Sequence, residues 1–285
     1  MDSDITKYKK FCRRNFLRAV IYGGIGLTAA DAFFIEPYGL DVTRMDIPIY
    51  CLPDAFNGFR IVQLTDLHHS KVVGIDYIRK VIDALNFENP DLVVLTGDYV
   101  TGNADYIKPV INLFTGIKSK YGLFAVLGNH DHWVDANLTI KHLTDVGAVD
   151  LTNKHVIVSI GNDSICIAGV GDYWEGTQDL NSAFQYVSGD MPRILLSHNP
   201  DYAEVMPTGY RVDLMLCGHT HGGQVVVPFV GAPMVPSDYG NKYRAGLVQG
   251  PHCPVYISRG IGMIRPPVRF NCQPELPVFT LKIKN

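Results

Sequence analysis

The sequence predicts an α/β protein built as a four-layer α-β-β-α sandwich of two mixed sheets, and three observations carry that prediction. Apolar runs at 61–64, 92–95 and 123–127 are continuous rather than alternating, as strands covered on both faces require. Between them lie stretches with helical spacing. After Ala148 the pattern changes to shorter strands, which suits a second sheet packed on the first with helices outside both. At 285 residues, 47% hydrophobic and 19% charged, the chain is long and apolar enough for one large domain with an appendage. A net charge of −3 gives no bulk attraction for nucleic acid, and no basic stripe or base-stacking series suggests one. The six cysteines show no CxxC pair or zinc-finger spacing; Cys166 and Cys217 read as small core residues.

Residues 1–36 stand apart. Lys7, Lys9, Lys10, Arg13, Arg14 and Arg18 precede an uncharged Gly/Ala-rich run from Ala19 to Ala30, a pattern of targeting or anchoring. The run is shorter than the roughly 20 residues a spanning helix prefers. Arg13-Arg14-Asn15-Phe16-Leu17-Arg18 resembles the twin-arginine export motif, and an amphipathic helix on anionic lipid is the other reading. Either way the expected partner is the cytoplasmic (inner) membrane surface, with its side and any cleavage near Ala30-Asp31-Ala32 open.

Residues 37–58 read as a linker and a first short strand, and 59–285 as the main globular domain. Helices are expected over Ile75 to Phe87 with Ile75, Ile78, Ile82 and Leu85 inward, over Ala104 to Ile117, and over Asn137 to Val146 before Gly147. Shorter strands follow at His155 to Ile160, Ser164 to Val170, Val212 to Cys217, Gln224 to Val227, Val255 to Ser258 and Pro277 to Ile283. Asn199-Pro200-Asp201 reads as a helix start.

Five apolar strands end abruptly in metal-ligand side chains: Asp66 and His68, Asp98, Asn129 and His130, His198, and His219 and His221. Functional groups of an α/β sheet gather beyond the carboxyl ends of its strands. The pooled set is too many ligands for one ion and about right for two that share a carboxylate. Mixed imidazole and carboxylate suits Mn, Fe, Zn, Co or Ni rather than Mg or Ca. Without a cation, burying so many polar groups around one pocket is costly.

The ordered motifs Asp66-x-His68, Gly97-Asp98, Gly128-Asn129-His130-Asp131, His198 and Gly218-His219-Thr220-His221 resemble those of the calcineurin-like metallophosphoesterase family. The resemblance covers nearly all of 59–283. Leu196-Ser197-His198-Asn199-Pro200-Asp201 and Gly171-Asp172-Tyr173-Trp174 resemble the bacterial YaeI/YkuE-type branch, itself similar to LpxG-type enzymes that hydrolyse UDP-2,3-diacylglucosamine. The resemblance implies two divalent metal ions, Mn2+ first and Fe2+ or Zn2+ otherwise. It places the first on Asp66, His68 and His221, the second on Asn129, His198 and His219, and has Asp98 bridge them. It makes His130 a catalytic group facing the phosphoryl and Asp131 the residue that orients it from behind. It also implies attack by a metal-generated hydroxide in line with the leaving oxygen.

Other candidates carry two readings each. His69 either touches substrate or is a loop histidine, and His132, His142 and His155 read as surface residues. Trp174 beside Tyr173 either stacks on a nucleobase or sugar or packs on its own domain. Arg244, Arg259, Arg265 and Arg269 form a phosphate or diphosphate clamp or are solvated loop arginines. The leading expectation is a membrane-associated phosphodiesterase or pyrophosphate hydrolase acting on a nucleotide-diphospholipid such as UDP-2,3-diacylglucosamine, with UMP released. That lipid is cytosolic, so export would exclude it. The alternatives are a broad phosphodiesterase of envelope or phospholipid diesters, and a scaffold keeping only the fold. No obligate protein partner is inferred.

Overall fold

The computed structural model describes Thr28 and residues 30–284. Strands β1 (Asp41–Tyr50), β2 (Arg60–Leu64), β3 (Leu92–Leu95), β4 (Leu123–Ala125) and β5 (Val149–Asp150) belong to a first sheet. A second holds β6 (Lys154–Ile160), β7 (Asp163–Gly169), β8 (Arg193–Leu196), β9 (Leu214–Cys217), β10 (Gly246–Gln249) and β11 (Pro254–Ile257). The last strand, β12 (Glu275–Lys284), returns to the first sheet. Among the described residues the orders are β1-β12-β2-β3-β4-β5 and β10-β11-β9-β8-β7-β6. Both sheets are mixed: β2 to β5 run parallel while β12 pairs antiparallel with β2, and β6 and β10 pair antiparallel with their neighbours.

Alternation along each strand sends side chains into two different cores, which is why the runs read as continuously apolar. In β3, Leu92 and Val94 join the core between the sheets, while Val93 and Leu95 face the helices. In β9, Leu214 and Leu216 enter the inter-sheet core and Met215 and Cys217 the outer one. Helices α1 (Ile75–Phe87), α2 (Ile107–Asn112) and α3 (Asn129–Asp145) cover the first sheet. On α1 the buried stripe is Ile78, Val81, Ile82 and Leu85, spaced for one helical face. The second sheet has a thinner cover, in which the short α4 (Leu180–Ala183) and α5 (Tyr202–Val205) pack with loops. Asp201 directly precedes α5, in line with the expected helix start.

Four elements differ from the sequence expectation. β1 is a ten-residue strand paired parallel with β12 from Asp41 to Tyr50, because Ile47 and Ile49 alternate inward. Its Pro48 is tolerated at the sheet edge, where the missing N–H interrupts no inner ladder. The helix expected over 104–117 is split into a 3-10 turn, α2 and a second 3-10 turn; Pro109 lacks the N–H that one continuous ladder needs. α3 begins at Asn129, eight residues before the expected start, with extended Asp135 (φ −173°) dividing it. The run Gln224 to Val227 forms no strand; Val225 and Val227 make only isolated bridges, to Phe270 and Gly231.

Among the described residues no helix is long and apolar enough to cross a membrane. The basic segment with Arg13 and Arg14 lies outside the described residues.

Candidate metal centre

The carboxyl ends of β2, β3, β4, β8 and β9 deliver their polar side chains to one buried spot. Asp66, His68 and His221 form one group, with His221 Nε2 2.9 Å from His68 Nε2 and 3.3 Å from Asp66 Oδ1. His219 Nδ1 lies 3.0 Å from Asn129 Oδ1 and 3.2 Å from His198 Nε2, forming a second group. Asp98 sits between them: its Oδ2 is 3.5 Å from His68 Nε2 and 3.3 Å from His198 Nε2. Three overlapping clusters therefore have cation-binding geometry: Asp66 with His68 and His221, Asp66 with Asp98 and His198, and His68 with Asp98 and His130.

The backbone is bent to make this convergence. Asp66, His68, Asp98, His219 and His221 all have positive φ, between 46° and 70°. Non-glycine residues hold that conformation at a cost of roughly 1–3 kcal/mol each and only where the surroundings enforce it. Two glycines make room. A Cβ on Gly128 would lie 2.3 Å from Asp98 Oδ1, and one on Gly218 would lie 2.1 Å from Asp66 Oδ2.

The donor set suits divalent cations on chemical grounds. Two carboxylates, an amide oxygen and several imidazoles face one another, and a buried cluster of acceptors needs positive charge among them. Burial pushes the Asp66 and Asp98 carboxyls up, but His221 and His68 around the first and His198 around the second hold both below the usual carboxylate range. Burial lowers His221 well below its ordinary value and His219 to about 3. For His198 burial also lowers, but the Asp98 charge outweighs it and raises the imidazole. Metal binds anionic carboxylates and neutral imidazoles, so His198 would give up its proton to a cation at this spot. His198 Nδ1 donates to the Thr96 carbonyl at 2.7 Å, which turns Nε2 toward the centre.

His130 stands at the edge, half-buried and lowered to about 4 by burial. Its backbone N–H donates to Asp98 Oδ1 at 2.8 Å. Thr101 Oγ1 lies 3.2 Å from His130 Nδ1 and 2.7 Å from His68 Nδ1. The part expected of Asp131, orienting His130 from behind, is not what its contacts show. Its buried carboxylate accepts from the backbone N–H groups of Asp98 (2.7 Å), Tyr99 (2.9 Å) and Gly128 (3.0 Å). Asp131 thus ties the β3 and β4 end loops together and fixes Asp98. Burial and the Asp98 charge push its carboxyl up to about 7, against the pull of the Gly128 and Tyr99 amides.

The remaining candidates divide. Trp174 is at the rim, its ring edge-on to His219 at 4.4 Å. Arg244 is half-buried and leans on the same loop, donating to Gly222 O at 3.4 Å. Arg265 is exposed on the rim. His69 is buried and donates from Nδ1 to Val73 O at 2.8 Å, so it closes its own loop instead of reaching substrate. Arg259 pairs with Glu275 and Asp41. Arg269 is fully buried and cannot clamp a phosphate. Its guanidinium donates to the carbonyls of Cys272 (3.0 Å), Arg259 (2.9 Å), Gly260 (3.1 Å) and Gly262. It braces the loop whose Gly262 N–H donates to Asp66 O at 2.6 Å.

Two rim residues escaped the sequence reading. Thr101 is signalled only by a hydroxyl three positions past Asp98. Trp133, one helical turn after His130, packs on that ring at 4.7 Å and donates from Nε1 to Glu175 Oε1 at 2.6 Å. Asp172 Oδ1 in turn accepts from the Trp174 and Glu175 N–H groups, holding this strap in place.

Comparison with known proteins agrees with this geometry. Residues 59–223 match the family model described as calcineurin-like phosphoesterase. The chain is 35% identical to the uncharacterized metallophosphoesterase YkuE of Bacillus subtilis (strain 168), over 97% of its own length and all of the relative. It is 33% identical to the phosphodiesterase YaeI of Escherichia coli (strain K12), over 94% of this chain and 98% of that one. A Bos taurus transmembrane protein with metallophosphoesterase domain is 29% identical over 85% of this chain and 57% of that protein.

Proposed function

Since the chain belongs to the calcineurin-like phosphoesterase family, as a metal-dependent phosphoesterase, we propose that it is a phosphodiesterase or pyrophosphate hydrolase working with two divalent cations. The observation that carries this reading is the place of Asp98, within reach of both His68 and His198. Asp66, His68 and His221 would hold one cation and Asn129, His198 and His219 the other, with Asp98 placed between the two groups. The cations, Mn2+ foremost with Fe2+ or Zn2+ as the alternatives, supply Lewis acidity toward the phosphoryl oxygens and activate water.

The chain's own groups do the rest. His130, with Nδ1 engaged by Thr101, presents Nε2 to the phosphoryl group or the leaving oxygen. Burial keeps that ring neutral at neutral pH, so it meets the phosphate as a hydrogen-bond donor. Trp133 and Trp174 wall the approach. Water adds its oxygen to phosphorus, the P–O bond to the leaving group breaks, and the expelled oxygen takes one proton.

The substrate proposed is an amphiphile at a membrane surface, UDP-2,3-diacylglucosamine being the instance that the sequence resemblance suggests. An apolar cavity of about 250 Å3 beside His221, lined by Val225, Met234, Pro266 and Val268, supports an acyl occupant. Exposed Phe33, Phe34 and Ile35 support a membrane-facing side. Chelated protein restored with Mn2+, Fe2+ or Zn2+ is the test. Metal-dependent cleavage of bis(4-nitrophenyl) phosphate is expected, and metal-loaded protein inert toward every diester refutes the reading. UMP release from UDP-2,3-diacylglucosamine is expected; its absence in protein active on the simple diester shifts the substrate to other envelope or phospholipid diesters.

A further inference from the structure

Beside the metal centre lies a cavity of about 420 Å3 that the catalytic groups do not use. Thr101 lines it, and the Thr101 hydroxyl is the group that contacts both His68 and His130. The cavity therefore opens on the side of the centre that carries His130, the group placed above at the phosphoryl group or the leaving oxygen. Among the described residues its wall also carries Ser70, Asn103, Tyr106, Lys71 and Arg265, and no carboxylate.

Arg265 is unlike the other arginines among the described residues. Arg44, Arg79, Arg211 and Arg259 pair with carboxylates. Arg60, Arg193, Arg244 and Arg269 donate to backbone carbonyls. Among the described residues Arg265 has no acceptor, and neither does Lys71, which lines the same cavity. Both cations line the same cavity, and no carboxylate among the described residues pairs with either. A guanidinium and an ammonium lining one cavity without a paired carboxylate can receive anionic oxygens. Beyond Arg265 the wall turns apolar, so the charge is confined to one flank.

We propose that this cavity is a leaving-group subsite, which binds a second anionic group, carboxylate or phosphate, on the alcohol expelled from the diester. The proposal rests on the phosphodiesterase reading above and specifies its substrate: a diester whose leaving arm bears its own negative charge.

The test compares methyl 4-carboxyphenyl phosphate with methyl 4-carbamoylphenyl phosphate, near-isosteric leaving arms that differ in charge, using the full chain loaded with Mn2+. The difference in intrinsic leaving ability cancels when the kcat/KM ratio for the two is compared between wild type and variant. The Lys71→Ala/Arg265→Ala double variant is expected to lose about tenfold or more of that ratio, chiefly through KM. Arg265→Lys is expected to keep most of it. Calorimetric titration with the product 4-hydroxybenzoate should show binding that weakens by a similar factor in the double variant. Both side chains are exposed, so the fold is not at stake. An unchanged ratio, or an equal fall for both diesters with product binding unaltered, overturns the proposal. If wild type cleaves neither diester with metal bound, the phosphodiesterase reading itself fails and takes the subsite with it.

Discussion

The loops that leave β2, β3, β8 and β9 and the long crossing from β9 to β12 hold their polar groups in opposite ways. In the strand-end loops the candidate ligand side chains turn inward and meet one another: Asp66, His68, Asp98, His198, His219 and His221 are all buried within one cluster. In the crossing, neighbouring arginines have different fates. Arg269 is buried among four carbonyl oxygens, while Arg265, four residues earlier, faces solvent with no partner among the described residues. The contrast teaches that the first region is shaped around a ligand charge the protein lacks, whereas the second splits into a brace and a rim.

The sharpest way to break this comparison is Asp98→Asn. If Asp98 links two cations, diester hydrolysis falls about 1,000-fold or more while circular dichroism is unchanged. A mild loss would make the cluster a polar core. Arg269→Ala comes next and acts on stability. Leaving several carbonyls without donors inside a cavity should cost about 3 kcal/mol or more in urea unfolding. A smaller effect would mean that Arg269 is no brace.

Gly128→Ala separates packing from chemistry. The added methyl would meet Asp98 Oδ1 and His198 Cε1, so metal content should fall and activity drop about 10- to 100-fold. Trp174→Ala is expected to raise KM about three- to tenfold, since it removes a rim ring and no ligand. The smallest effect belongs to Arg265→Ala in the unfolding assay, a change within about 0.5 kcal/mol. Against the loss from Arg269→Ala, that difference measures how far brace and rim diverge.

The two regions also differ in how much of them could be read beforehand. The convergence of these side chains was legible because each lies within a few residues of the end of a continuous apolar run, and a strand end fixes where the next side chains go. The sandwich was legible for the same reason: Leu92 to Leu95 and Ile194 to Leu196 are apolar on both faces. Arg269 was not, since an arginine in a Gly/Pro-rich loop looks alike whether carbonyls or water surround it. The contacts of Asp131 were hidden similarly. Its three amide donors come from residues up to 33 positions away, paired only once β3 and β4 are adjacent. β1 was read as short because Asp46 and Pro48 interrupt its apolar residues, although alternation permits exposed positions on an edge strand.

Metal content per chain tests the central claim most directly. Protein purified without chelators and analysed by inductively coupled plasma mass spectrometry should carry two equivalents of transition metal, falling toward one or none in Asp98→Asn. Diesterase activity that persists in wild-type protein holding no metal would contradict the account at its root.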